Sequence, residues 1–137
     1  INYHIYGSPK YLEKHGFPKN TSDLNKHSFI SFGRGAPSPV YNPDWALKLG
    51  TKDNKKRKTV MKVNSVYGLL LAVQSGVGLA ALPDYITVNQ PNIVKVLPNI
   101  EGPITEAHFV YPQSMKNVAR VQAFRNFLYS KISEWEF

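Results

Sequence analysis

Val63-Asn64-Ser65-Val66-Tyr67-Gly68-Leu69-Leu70-Leu71-Ala72-Val73-Gln74-Ser75-Gly76-Val77-Gly78-Leu79-Ala80-Ala81-Leu82-Pro83-Asp84-Tyr85 is the stretch whose reading decides the fold. It opens on the end of a strand. Asn64 or Ser65 then caps a helix that runs to Gln74. Leu69, Leu70 and Val73 make one apolar stripe, and Val66, Leu71 and Ala72 make the remainder apolar too, so the helix packs on more than one side. Gly76 stops it. The continuous apolar run from Gly78 to Leu82 reads as a buried parallel strand, and Pro83-Asp84-Tyr85-Ile86 starts a short helix or turn. Strand, helix, strand in this order is half of a ligand-holding α/β domain.

The flanking sequence extends that reading. Residues 2–7 alternate as a strand. Ser8 caps a short helix with Pro9 in its first turn and Gly16 at its left-handed stop, and Thr21 to Leu24 form a further helical turn. Phe29-Ile30-Ser31-Phe32 is a short strand ending at Gly33-Arg34-Gly35, and Pro37, Pro39 and Pro43 make residues 34–43 a loop. Trp45 to Leu49 and Val60 to Val63 both alternate across the polar turn Gly50 to Lys56, which predicts a hairpin. Ile93 to Leu97 and Thr105 to Tyr111 read as strands. Val118, Val121, Phe124, Leu128, Ile132 and Trp135 recur at spacings of three and four, which predicts an amphipathic helix over 117–135 docked on a sheet. Alternating strands and helices imply an α/β fold with a mixed sheet.

With 137 residues, 42% of them hydrophobic, the chain can build one core. No apolar run reaches the roughly 18 residues of a membrane span. No cysteine is present, which excludes disulfides, thiol nucleophiles and zinc–thiolate sites. No secretion signal is visible. The opening strand, without an initiator Met, is expected of a segment inside a longer polypeptide. The net charge is +8, half of it from Lys52, Lys55, Lys56, Arg57 and Lys58 less Asp53. Such a cluster can attract polyanions. It is one short loop without interleaved aromatics, so a solvated hairpin tip also accounts for it.

No catalytic constellation stands out. His4, His15, His27 and His108 show no metal-ligand spacing, and His15 and His27 read as capping or packing residues. Gly76-Val77-Gly78 lacks a third glycine and follows a helix, so it is a helix stop and a close approach rather than a phosphate loop. The carboxylates form no convergent acid pair, and Ser8, Ser31 and Ser65 lack the glycines of a nucleophile elbow. The expectation is no enzyme, no catalytic residue, no cofactor and no metal.

A binding site is better supported, because ligands of open α/β sheets sit at strand carboxyl ends beside helix N-termini. One such place is Ser31, Phe32, Gly33 and Arg34. The other is Val63, Asn64, Ser65 and Val66, where free amides favour an anion. Arg34 could clamp an acidic group bidentately or lie in solvent, Phe32 could stack on a ligand or belong to the core, and Asn64 or Ser65 could be a cap alone.

Tyr6-Gly7-Ser8-Pro9-Lys10-Tyr11-Leu12, His15-Gly16-Phe17-Pro18, Asp23-Leu24-Asn25-Lys26-His27, Trp45-Ala46-Leu47, Val63-Asn64-Ser65 and Gly76-Val77-Gly78-Leu79-Ala80-Ala81-Leu82-Pro83 occur in an order that resembles the effector-binding domain of LysR-type transcriptional regulators. Val110-Tyr111-Pro112, Phe124 and Phe127-Leu128 continue the resemblance to the end of the chain. It implies a type II periplasmic-binding-protein-like fold, of which this chain is mainly the second Rossmann-like subdomain. Residues 1–7 would be the hinge strand, 8–103 the second subdomain, and 104–137 the return strand and helix of the first, with the hinge at Tyr6, Gly7, Ile104 and Thr105. On that plan the DNA-binding part and the first half of subdomain I would lie outside this chain. The resemblance further implies a cytoplasmic regulator that binds a small-molecule effector between subdomains. It would bind DNA through an N-terminal winged helix-turn-helix outside this chain, form a homodimer or homotetramer, and have no membrane partner. The alternative is a periplasmic-type solute-binding protein serving a transporter.

Overall fold

Strand β1 (Tyr3–Gly7) is buried at every position, so it lies inside a sheet. The computed structural model describes residues 1–33, 42 and 44–134. It divides the chain into two compact units, Ile1–Thr105 and Glu106–Phe137.

In the first unit β1 is followed by α1 (Pro9–His15), β2 (Phe29–Phe32), the short α2 (Trp45–Lys48), β3 (Thr59–Val63), α3 (Val66–Gln74), β4 (Ala80–Pro83) and β5 (Val94–Val96). Single 3-10 turns cover Asp23–Lys26, Lys52–Asn54 and Asp84–Ile86. The sheet order is β4-β1-β5 in one part and β2-β3 in the other. A parallel bridge from Phe29 to Leu79 joins the parts, giving β3-β2-β4-β1-β5. β2 and β3 run parallel, whereas β1 is antiparallel to both its neighbours. The mixed α/β sheet of the sequence reading is thereby observed.

Local chemistry explains the regular pieces. Ser8 accepts a hydrogen bond from the Tyr11 amide and Pro9 opens α1, satisfying one of the free first-turn donors. Gly76 adopts φ 79° just beyond α3, the left-handed stop that glycine allows. At Gly78 a Cβ would come within 2.6 Å of the Ser28 carbonyl oxygen, so only glycine lets β4 begin against β2.

The sheet is covered on both faces. Ile5, Tyr11, Leu12, Leu24, Phe29, Ala46, Leu47, Leu79 and Val96 form one cluster. Tyr6, Ile30, Leu69, Leu70, Val73, Ala80 and Leu82 form the other. Neighbours Ile5 and Tyr6, and likewise Phe29 and Ile30, point to opposite clusters, as the two-residue strand period requires. Each fully buried Leu or Phe is worth about 1.5–3 kcal/mol.

Several expectations are corrected. Trp45–Lys48 is a turn of helix, not a strand, because Ala46 and Leu47 are consecutive and both buried, which an alternating strand cannot provide. No hairpin forms. β3 pairs parallel with β2, Phe32 opposite Val63. The strand ending at Leu82 meets β2 in parallel only at Leu79; from Ala80 onward it is antiparallel to β1. Arg57 is no solvated tip residue. Its guanidinium donates to Asn25 Oδ1 and to the carbonyls of Ala46 and Thr21, and lies 5.5 Å from the Phe29 ring. The loop at 34–41 and 43 lies outside the described residues.

In the second unit, the strand expected over 105–111 is not formed. A strand needs a ladder partner, and none is present there among the described residues. Ala119–Ser133 is α4, a shorter span than 117–135, with Trp135 outside the described residues. No described residue of α4 is buried. Phe124 meets Phe109 edge-on at 5.7 Å.

Candidate functional site

The parallel pairing of β2 and β3 brings both predicted groups together. Phe32 lies opposite Val63, and the Gly33 amide donates to the Val63 carbonyl at 2.9 Å. A Cβ on Gly33 would sit 3.7 Å from the Asn64 nitrogen. Ser31, Phe32 and Gly33 therefore line up beside Val63, Asn64, Ser65 and Val66 at one edge of the sheet, at the carboxyl ends of two adjacent strands. Ser31 is buried, Phe32, Gly33, Val63 and Val66 are partly buried, and Asn64 and Ser65 are exposed. Phe32 packs against the α3 core cluster while keeping some exposure. Arg34 lies outside the described residues.

Of the two capping candidates, Ser65 is the cap. Its backbone is extended and its Oγ accepts from the Gly68 amide at 3.3 Å. Asn64 is left exposed beside it. The helix starts directly on the end of β3, since a Cβ on Gly68 would lie 2.6 Å from Val63 Cγ1. The first-turn amides of α3 and its dipole favour a negative group here.

Of the four positions expected at a hinge, two lie inside the sheet. Tyr6 and Gly7 lie within β1, Tyr6 bonded into the sheet on both edges and Gly7 paired with Val94. Thr105 instead pairs with Ile1: the Thr105 amide donates to the Ile1 carbonyl at 3.0 Å, and the Ile1 nitrogen donates to the Thr105 carbonyl at 2.9 Å. Ile104 is exposed.

A buried polar cluster escaped sequence reasoning. Asp84 accepts from His4 Nδ1 at 2.8 and 2.9 Å and from the Tyr6 hydroxyl at 2.9 Å, and Lys95 Nζ lies 3.3 Å away. Thr87 Oγ1 donates to the Tyr6 hydroxyl. A carboxylate only accepts, so His4 Nδ1 carries the proton. Burial works to raise the Asp84 carboxyl, but hydrogen bonds from His4 and Tyr6 and the nearby Lys95 outweigh it and hold the group below the usual carboxylate range. Burial pushes the Tyr6 phenol well up, with Asp84 adding to the effect. The available signal was polar residues at positions 4 and 6 on one face of a buried strand.

His15 and His27 both lie against Tyr11. His15 stacks on Tyr11 at 4.4 Å, and His27 is tilted 5.7 Å from the same ring. Burial, then His15, lowers the His27 pKa. Among the described residues no cluster of three or more metal-ligating side chains exists, and no helix is long and apolar enough to cross a membrane.

Residues 2–132 match the model of the LysR substrate binding domain. The chain belongs to that family. An uncharacterised HTH-type transcriptional regulator of Haemophilus influenzae is 31% identical over 113 residues, covering 80% of this chain and 38% of that protein. The chain thus spans about two-fifths of this relative's length. The regulatory domain of CrgA, a LysR-type regulator from Neisseria meningitidis, is similar with a TM-score of 0.70 at 22% identity, over 95% of this chain and 64% of that one. The effector domain of AmpR from Pseudomonas aeruginosa is similar with a TM-score of 0.64 at 19% identity, over 93% and 59%. At these identities the likeness shows the fold, the type II periplasmic-binding-like fold of LysR regulatory domains.

Proposed function

We propose that this LysR-family domain is the ligand-sensing part of a cytoplasmic DNA-binding transcriptional regulator. A small, anionic metabolite binds at Ser31, Phe32, Gly33, Val63, Asn64, Ser65 and Val66, with Arg34 as the candidate cation from sequence. The observation that carries the reading is the side-by-side placement of the β2 and β3 carboxyl ends at the start of α3, in a chain whose family is defined by ligand-binding domains. Residues 8–103 form the second subdomain, and residues 104–137 complete the first. The ligand shifts a conformational equilibrium only through different affinity for its two states. A helix-turn-helix outside this chain reads the shift on DNA, in a homodimer or homotetramer. The relatives above are regulators rather than transport receptors. Thermal unfolding of the full-length protein against a panel of carboxylic and amino acids tests the reading. A ligand at a hundred times its dissociation constant adds about 2.7 kcal/mol, so one member should raise the midpoint. No shift with any carboxylate would overturn the anionic effector.

A further inference from the structure

Asp84 grips the start of β1 at three points. Its backbone amide donates to the Asn2 carbonyl at 3.0 Å, and its carboxylate receives His4 Nδ1 and the Tyr6 hydroxyl. Lys95, next door on β5, ties the same carboxylate to the far edge of the sheet. Just outside this grip, residues 1–3 run beside residues 102–105: the Thr105 amide donates to the Ile1 carbonyl at 3.0 Å, and the Gly102 amide donates to the Tyr3 carbonyl at 2.7 Å.

A buried carboxylate is costly unless donors converge on it. Here three side chains from two strands do so. A satisfied polar network specifies one geometry, since sliding or rotating the strand leaves a buried charge without partners. An apolar contact would resist separation but tolerate such slippage.

We propose that Asp84 is a positioning residue for the paired crossing formed by residues 1–3 and 102–105. It locks residues 2, 4 and 6 of the incoming strand to the sheet, so that bending falls at Ile1 and at Ile104–Thr105. This rests on the reading that these two segments connect the subdomains of an effector domain. It adds a fixed reference for subdomain movement, set by the Asp84 carboxylate and its donors.

Hydrogen exchange in the full-length protein, without any ligand, tests it. Asp84→Asn should speed exchange at the amides of residues 84, 102 and 105 on the order of tenfold to a hundredfold, the cost of a lost charge-assisted bond. The amides of Gly33 and Leu69, at the β2 end and in α3, should stay within about twofold. Tyr6→Phe, which keeps the ring and removes one donor, should give a smaller rise at the same three amides. His4→Asn, which retains a donor near the Nδ1 position, should stay close to the unsubstituted protein. A rise spread equally over Gly33 and Leu69, no rise at 84, 102 and 105, or His4→Asn exchanging as fast as Asp84→Asn would overturn the proposal. Because no ligand is used, failure of the effector reading would show instead as an absence of binding with this exchange pattern intact.

Discussion

His4 Nδ1 and Asp84 Oδ2 lie 2.8 Å apart inside the sheet layer, joining residues eighty positions apart in sequence. Both are buried, so the pair ties the first strand to the turn after β4 with little screening by water. Held below its ordinary range, the Asp84 carboxyl contributes stability that is present above its unfolded pKa, near 3.8, and is lost as pH falls through the folded value. Urea unfolding across pH 2–7 should therefore show a decline below about pH 4 that is shallower in Asp84→Asn. Identical slopes in the two proteins would contradict the assignment.

Within the basic run 55–58, Lys56 pairs with Asp44, while Arg57 joins three separate segments of the chain. Arg57→Lys should cost about 1–3 kcal/mol, because an ammonium cannot span the Thr21 and Ala46 carbonyls together with Asn25 as the guanidinium fork does. Lys55→Ala and Lys58→Ala should change stability by less than about 0.5 kcal/mol. Chemical denaturation of the three variants checks this.

Gly78→Ala places a methyl 2.6 Å from the Ser28 carbonyl oxygen and 3.3 Å from the Ser28 Cβ. The obstacle is backbone, which cannot swing aside, so a loss of about 1–3 kcal/mol is expected. Denaturant midpoints read it directly.

Ser65→Ala removes the acceptor for the Gly68 amide. The expected cost is about 1 kcal/mol, as for other helix caps, with weaker ligand binding in the same variant. Ser65→Asp keeps a cap in place and should recover the stability while placing a negative charge at the site. Paired measurements of unfolding and binding separate the two effects.

Much of this arrangement was readable from short signals. Ser8-Pro9 with Gly16 marks α1, Ser65 with Gly76 brackets α3, and the apolar run to Leu82 marks a buried strand. The misreadings have physical causes. Over Trp45 to Leu49 a two-residue and a 3.6-residue period are indistinguishable, and the burial of adjacent Ala46 and Leu47 decided for helix. Strand direction was illegible at residues 79–83 because the same segment meets β2 in parallel and β1 in antiparallel. The ladder around Tyr6 and Gly7 depends on β4 and β5, some eighty residues distant. The Asp84 cluster was hidden for the same reason: no local pattern links positions 4, 6, 84 and 95. The two site segments were picked out separately, as a strand end and a helix start; their adjacency comes from the β2–β3 pairing, which the expected hairpin had hidden, and the choice of Ser65 over Asn64 as the cap needed atomic positions.

Calorimetric titration of the full-length protein with a panel of small carboxylates and amino acids, repeated on Asn64→Asp, tests the central claim most directly. Asn64 is exposed and is not the cap, so this substitution adds a negative charge where an anion would sit and leaves the helix start intact. The expected result is saturable binding of at least one anion, weakened about tenfold or more in Asn64→Asp, on the order of 1.4 kcal/mol. No binding by any carboxylate, or equal affinity in the two proteins, would contradict a ligand site at the ends of β2 and β3.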